Sequence, residues 1–250
     1  MNRNEFHLKF GNDRPIVCPV IHVLDHEQTK RNILISIECG CPGVFLINHD
    51  FEKEKLIPII KSIRTEFPDY WIGINFLAVT GEFAFPILGA LQAEGVFIDG
   101  YWADDACIDE HRKESDQINA KRINIVRKES GWQGLYIGGT AFKKQREVKP
   151  EMYAYSGRLA AAHMDIVVTS GVATGHAADI NKIKTFRESC GETTLAVASG
   201  ITPENAKEYV QDVDLFMVAT GINFDDDFYN IDINKLKKLM YVIESSGEQL

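Results

Sequence analysis

The sequence predicts a (β/α)8 barrel, a single domain of eight parallel strands each followed by a helix. Three observations lead there. Eight short apolar runs alternate with eight amphipathic stretches along the chain. The runs are rich in Val, Ile, Leu and Phe with little polar alternation, which is how parallel strands covered on both faces read. The chain has 250 residues, and one such barrel typically takes about 250. A doubly wound open sheet is the alternative, but it calls for a glycine-rich turn after the first strand. Here the first run enters Leu24-Asp25-His26-Glu27, without glycine.

In chain order the strand runs are 16–24, 43–48, 71–77, 96–99, 134–138, 165–169, 194–198 and 215–219. The helical stretches between and after them are 26–40, 52–67, 82–94, 114–130, 150–163, 178–190, 203–211 and 232–245. Gly40 closes the first of these, where a left-handed cap costs little. Thr202 and Pro203 open the seventh, as N-cap and first helical residue. Gly95 and Gly191 each separate a helix from the next strand. No linker or break in composition divides the chain. Residues 1–15 are expected to be an N-terminal extension packed under or beside a barrel of residues 16–250.

The charge balance narrows the partners. There are 27 basic and 36 acidic residues, a net charge of −9. Nucleic acid and anionic membrane surfaces need clustered Lys and Arg, so both are excluded as partners. The polar N-terminus has no apolar signal region, and no apolar run reaches the roughly 20 residues that cross a bilayer. Five cysteines, an odd and sparse number, point to reduced thiols and a cytoplasmic protein. Cys39 and Cys41 lack a second Cys/His pair and read as ordinary small residues at a helix end, not zinc ligands.

Chemistry in these barrels sits at the C-terminal strand ends and in the loops that follow. The last two such loops, Ala198-Ser199-Gly200-Ile201-Thr202-Pro203 and Ala219-Thr220-Gly221-Ile222-Asn223, are small and glycine-bearing. They suit backbone donation to an anion, aided by a following helix N-terminus. Ser199, Gly200, Thr220 and Gly221 are therefore the expected phosphate binders. Loop six, Ser170-Gly171-Val172-Ala173-Thr174-Gly175-His176, offers Ser170, Gly171 and Thr174 as ligand contacts. In the first half, Asp99 at the end of strand four is the first choice for a general base or hydroxyl acceptor. His22 and Asn75 join it, and Asn48 is a further substrate contact. His49 and Asp50 read as an exposed turn. No lysine lies within a strand run, which argues against a Schiff-base aldolase. The acidic run Asp225-Asp226-Asp227 reads as a solvated loop. No cofactor is predicted, and a divalent ion is the one that the acidic residues would allow.

The segments Asp165–Gly175, with Val167-Val168-Thr169-Ser170-Gly171-Val172-Ala173-Thr174-Gly175, then Ser199-Gly200-Ile201-Thr202-Pro203-Glu204-Asn205, then Asp214–Thr220, resemble the BtpA family, which includes SgcQ-like proteins. In the first half, Val20-Ile21-His22-Val23-Leu24 and Gly73-Ile74-Asn75-Phe76-Leu77 are similar to its first and third strands more weakly. The likeness covers most of residues 16–240 and is strongest over 165–221. It implies a TIM barrel of the ribulose-phosphate-binding kind and supports a phosphate site, while implying little about the reaction. One departure stands out. After strand five the family usually carries Asp-x-His-x-Lys-His, whereas this chain reads Gly138-Gly139-Thr140-Ala141-Phe142-Lys143-Lys144. Of that segment Lys143 alone is retained, as a candidate catalytic cation.

Three functional readings stay open at this stage. The leading one is an enzyme for a phosphorylated sugar or nucleotide, by isomerisation, hydrolysis or phosphoribosyl transfer. The second is a non-catalytic assembly or biogenesis factor on the same scaffold. The third is a metal-dependent hydrolase using His22, Asp50 and Asp99. Loop four, residues 100–107, is aromatic and acidic. It could close over a sugar or base, or pack on a second copy in a homo-oligomer.

Overall fold

The computed structural model describes residues 1–143 and 145–246. Eight parallel strands close into a barrel in the order β1 to β8. They are β1 (Ile16–Val23), β2 (Gly43–Asn48), β3 (Trp71–Asn75), β4 (Gly100–Ala103), β5 (Leu135–Gly139), β6 (Ile166–Ser170), β7 (Thr194–Ala198) and β8 (Leu215–Val218). The helices are α1 (Arg3–Phe10), α2 (His26–Glu38), α3 (Lys53–Glu66), α4 (Gly81–Ala93), α5 (Ile118–Ser130), α6 (Tyr153–Ala161), α7 (Ile180–Cys190) and α8 (Ile233–Ser245).

Nearly every strand residue is buried, as strands covered by helices on one face and closed on themselves on the other must be. Two apolar cores result. Inside the barrel, Cys18, Val20, Phe45, Trp102, Ile137, Val168 and Met217 pack together. Between barrel and helices, Val44, Leu56, Phe85, Tyr101, Leu159, Phe186 and Leu239 form the larger one. The interior is crowded by aromatic rings, and glycines make room for them. A Cβ on Gly73 would lie 2.4 Å from the Phe45 ring, and one on Gly100 2.7 Å from Trp71.

Helix α1 seals the N-terminal end of the barrel. A capping box between Asn2 and Glu5 starts it and Gly11 in the left-handed conformation ends it. Its Phe6 is fully buried in the interior core, while Arg3 and His7 reach Asp214.

Two elements differ from the sequence expectation. Strand four is Gly100–Ala103, not 96–99; the apolar stretch before it is the approach to the strand. The seventh helix reduces to a 3-10 turn, Ala206–Glu208. There the Thr202 N–H donates to Asn205 Oδ1 and the Glu204 N–H to Thr202 Oγ1, so the polar side chains close a turn instead of capping a helix.

The strand-four shift relocates Asp99. It precedes β4 and so lies at the N-terminal end of the barrel, away from the mouth. Its Oδ2 accepts from Arg64 at 2.5 Å and from the Ile72 N–H at 2.9 Å. The same clasp recurs twice. Asp165, before β6, accepts from Arg127 of α5 and the Tyr136 N–H. Asp214, before β8, accepts from Arg187 of α7 and the Leu195 N–H. Each Asp ties an even-numbered strand to the preceding strand and to the helix that leads into that preceding strand. Asp99 is a structural carboxylate at the stability face, and neither the general-base role nor the metal-ligand role expected for it holds.

Candidate functional site

The C-terminal strand ends surround a narrow pocket of about 40 Å³ that opens to solvent. Val20, Ile47, Trp102 and Met217 are among its apolar lining. Its polar lining includes His22, His49, Asp104, Lys143, Thr174, Ser199 and Thr220. Of the sequence candidates, His22, Lys143, Thr174, Ser199 and Thr220 thus meet at one place.

His22 is buried near the end of β1. Its Nδ1 lies 2.8 Å from the Phe228 carbonyl, which can only accept, so Nδ1 carries the proton and Nε2 the lone pair. The Phe228 ring stacks on the imidazole at 3.8 Å, and His49 meets it edge-on at 4.7 Å. Burial, opposed in part by the Phe228 bond, lowers its pKa to about 4. The imidazole is neutral at pH 7, with Nε2 able to accept a hydrogen bond.

Asp104 is the residue that the sequence reading missed. With β4 ending at Ala103, it is the first residue of loop four and lines the mouth. Asn75, fully buried at the end of β3, donates from Nδ2 to Asp104 Oδ1 at 3.1 Å. Gly139 on β5 admits this loop, since a Cβ there would fall 2.0 Å from the Asp104 carbonyl oxygen. The Asn75 role is therefore to orient a carboxylate. Two buried polar atoms nearby have no hydrogen-bond partner among the described residues: Asn75 Oδ1 and the indole Nε1 of Trp102. Such atoms are costly without a partner, and a ligand or water can supply one.

Lys143 is carried by loop five, and its N–H donates to Ser170 Oγ at 2.8 Å. That hydroxyl in turn donates to the Gly171 carbonyl. Ser170 and Gly171 thus fix the backbone of loops five and six. Asn48 is occupied likewise, donating to the Phe51 carbonyl at 2.6 Å and accepting from the Leu77 N–H at 3.1 Å. It fastens loops two and three and lies outside the pocket lining.

The glycines expected to cradle phosphate, Gly200 and Gly221, sit in tight backbone contact with neighbouring loops and are absent from the pocket lining. Gly200, at φ +67°, would place a Cβ 2.1 Å from the Ala177 nitrogen, and Gly221 would place one 1.9 Å from the Ile201 carbonyl oxygen. They let loops six, seven and eight nest backbone against backbone. Ser199, itself at φ +88°, adds a bond from Oγ to the His176 carbonyl at 2.9 Å. No α-helix starts directly behind loop seven or loop eight, because the one is followed by a 3-10 turn and the other by a long loop to α8. The helix-end contribution expected there is absent. What faces the pocket from these loops is Thr174, Gly175, Ser199, Ala219 and Thr220.

Loop eight folds back over the first two strands. The Gln28 and Asn32 amides both donate to the Tyr229 carbonyl, at 2.7 Å each, and the Tyr229 hydroxyl donates to Asp50. Asp227 accepts from the Tyr229 and Asn230 N–H groups, and Asp225 pairs with Lys235. The acidic run is a bonded turn. Among the described residues no group of three His, Cys, Asp or Glu is placed to hold a metal ion. Likewise none of their helices is long and apolar enough to cross a membrane.

The sequence model of the BtpA family matches residues 151–245, which include the stretch where the resemblance is strongest. No curated protein matches the chain in sequence. Solved structures match its fold. The tryptophan synthase alpha subunit of Legionella pneumophila str. Paris has a TM-score of 0.67 at 14% identity, over 98% of this chain and 99% of that one. A native KDPGal structure has 0.59 at 10% identity, over 93% and 94%. The Enterococcus faecalis dipeptide epimerase, with Mg and a dipeptide, has 0.56 at 10% identity, over 82% of this chain and 54% of that one. These likenesses establish a TIM barrel.

Proposed function

We propose that the mouth pocket binds a phosphorylated sugar or nucleotide and that the protein is an enzyme acting on it by proton transfer. One observation carries the reading: the convergence of Asp104, Lys143 and His22 on the pocket that Thr174, Ser199 and Thr220 also line. The three groups differ in what they can do. A carboxylate held by Asn75 can take a proton. An ammonium can stabilise negative charge that develops on oxygen. A neutral imidazole with its lone pair on Nε2 can accept a hydrogen bond from a substrate hydroxyl. Base, cation and hydroxyl acceptor together suit isomerisation beside a carbonyl better than hydrolysis or phosphoribosyl transfer. The anion is received by Lys143, by the hydroxyls of Thr174 and Thr220 and by loop backbone. An acidic protein can hold one small anion this way without a basic surface.

Calorimetric titration with ribose 5-phosphate tests the reading. Saturable binding that K143M weakens at least about tenfold supports it. Absence of saturable binding by both ribose 5-phosphate and inorganic phosphate overturns it. D104N separates an enzyme from a non-catalytic scaffold: in an enzyme the ligand still binds, but exchange of its carbon-bound protons with D2O stops.

A further inference from the structure

Beside the mouth lies a second cavity of about 290 Å³, walled by loops five and six and the first turn of α7. Lys143 lines both. The other charged side chains on the second are Arg146, Glu147 and Lys182. Lys182 is the unusual one, at 9% exposure. Its Nζ donates to the Ala141 carbonyl at 2.6 Å and the Ser170 carbonyl at 2.7 Å, and sits 5.1 Å from the Tyr153 ring centre. Both acceptors are neutral, so the ammonium is hydrogen-bonded without being neutralised. It has three donors and these bonds use two. Buried charges ordinarily carry a counter-charge. Among the acids nearby, Asp179 acts on Lys182 through its charge but forms no ion pair with it, capping α7 through the Asn181 and Lys182 N–H groups instead; Glu110 pairs with Arg146, and Glu147 is exposed. Burial lowers the Lys182 pKa to about 8, outweighing the opposite pull of the Asp179 charge.

We propose that this cavity is a second anion subsite, joined to the mouth through Lys143, so that the ligand is a phosphosugar carrying a second anionic group. An anion there supplies a directly bonded counter-charge and the third acceptor, which Asp179 does not. The proposal rests on the mouth reading and narrows its substrate class. Two anions on either side of Lys143 make a sugar bisphosphate a better ligand than the monophosphate.

The test compares ribose 5-phosphate with ribulose 1,5-bisphosphate by calorimetry. The bisphosphate is expected to bind roughly tenfold or more tightly, as an added charge-assisted contact provides. K182M is expected to bring the two affinities within about twofold. Because K182M removes a buried cation and could disturb the fold, V172D serves as the second variant. Val172 is 87% exposed at the rim of the cavity, so an added carboxylate there is tolerated and repels the second anion. Equal affinities in the unaltered protein, or a bisphosphate advantage that survives both variants, overturn the subsite while leaving the mouth intact. Failure of both ligands to bind overturns the mouth reading and this one with it.

Discussion

Asn75 Nδ2 donates to Asp104 Oδ1 across 3.1 Å, joining the ends of β3 and β4 inside the barrel mouth. The bond relates the fold to the chemistry. Asn75 is fully buried, so its side chain has one place to be, and the carboxylate it holds inherits that position. N75A removes the donor and leaves a small void. It is expected to destabilise the protein by about 1–3 kcal/mol in denaturant unfolding. It should also lower proton-exchange turnover more than ligand affinity, since the pocket remains but its base is loose.

Asp99 and Asp104, five positions apart, answer opposite questions. D99A breaks a largely buried pair and strands Arg64, at an expected cost of about 2–4 kcal/mol. Once the protein is folded, ribose 5-phosphate affinity should stay within twofold of normal, roughly 0.4 kcal/mol. D104N should do the reverse, with a midpoint of unfolding near normal and no turnover. Chemical denaturation and calorimetry on the two variants read both effects.

The barrel was legible in the sequence because burial on both faces leaves continuous apolar runs, and eight of them set the architecture. The β4 register was not. Val96-Phe97-Ile98 looks like a strand, whereas the strand Gly100-Tyr101-Trp102-Ala103 begins with glycine for a tertiary reason, the approach of Trp71. That displacement moved the candidate base from Asp104 to Asp99. Lys182 was hidden differently: it sits on a helix whose pattern reads as amphipathic, and only the fold shows its ammonium turned between two carbonyls. The glycines of loops seven and eight were legible as special, but their close contacts are with neighbouring loops.

Gly139 tests the link between strand five and loop four. G139A sets a methyl carbon against the Asp104 carbonyl at 2.0 Å, a contact no real side chain makes, so loop four must move. Ligand affinity should fall at least about tenfold. Unchanged affinity would mean that Asp104 does not shape the pocket.

His22 should stay neutral far below the usual histidine range. With its pKa near 4 in the folded protein and about 6.5 in the unfolded chain, the folded state binds fewer protons between these values. Stability is therefore fully present above the unfolded value and declines as pH falls from about 6.5 toward 4. The His22 Cε1 proton signal should not titrate between pH 8 and 5.5, and in H22Q the acid side of the stability curve should be shallower.

Asp214 sets a second acid limit. Burial alone would raise its pKa, but bonds from His7, the Leu195 N–H and Arg3 outweigh it and hold the carboxyl below its ordinary value. A carboxyl of this kind stabilises the fold above its unfolded value, near 3.9, and the contribution is lost as pH falls through the lower folded value. D214N should flatten the stability curve below about pH 4 and lower the midpoint of unfolding at neutral pH.

The most direct measurement is a crystal structure of the protein soaked with ribose 5-phosphate. The phosphate is expected at the mouth beside Lys143, Thr174 and Thr220, with the sugar turned toward Asp104 and His22. A phosphate bound elsewhere on the barrel, or an empty mouth at saturating ligand, would contradict the account.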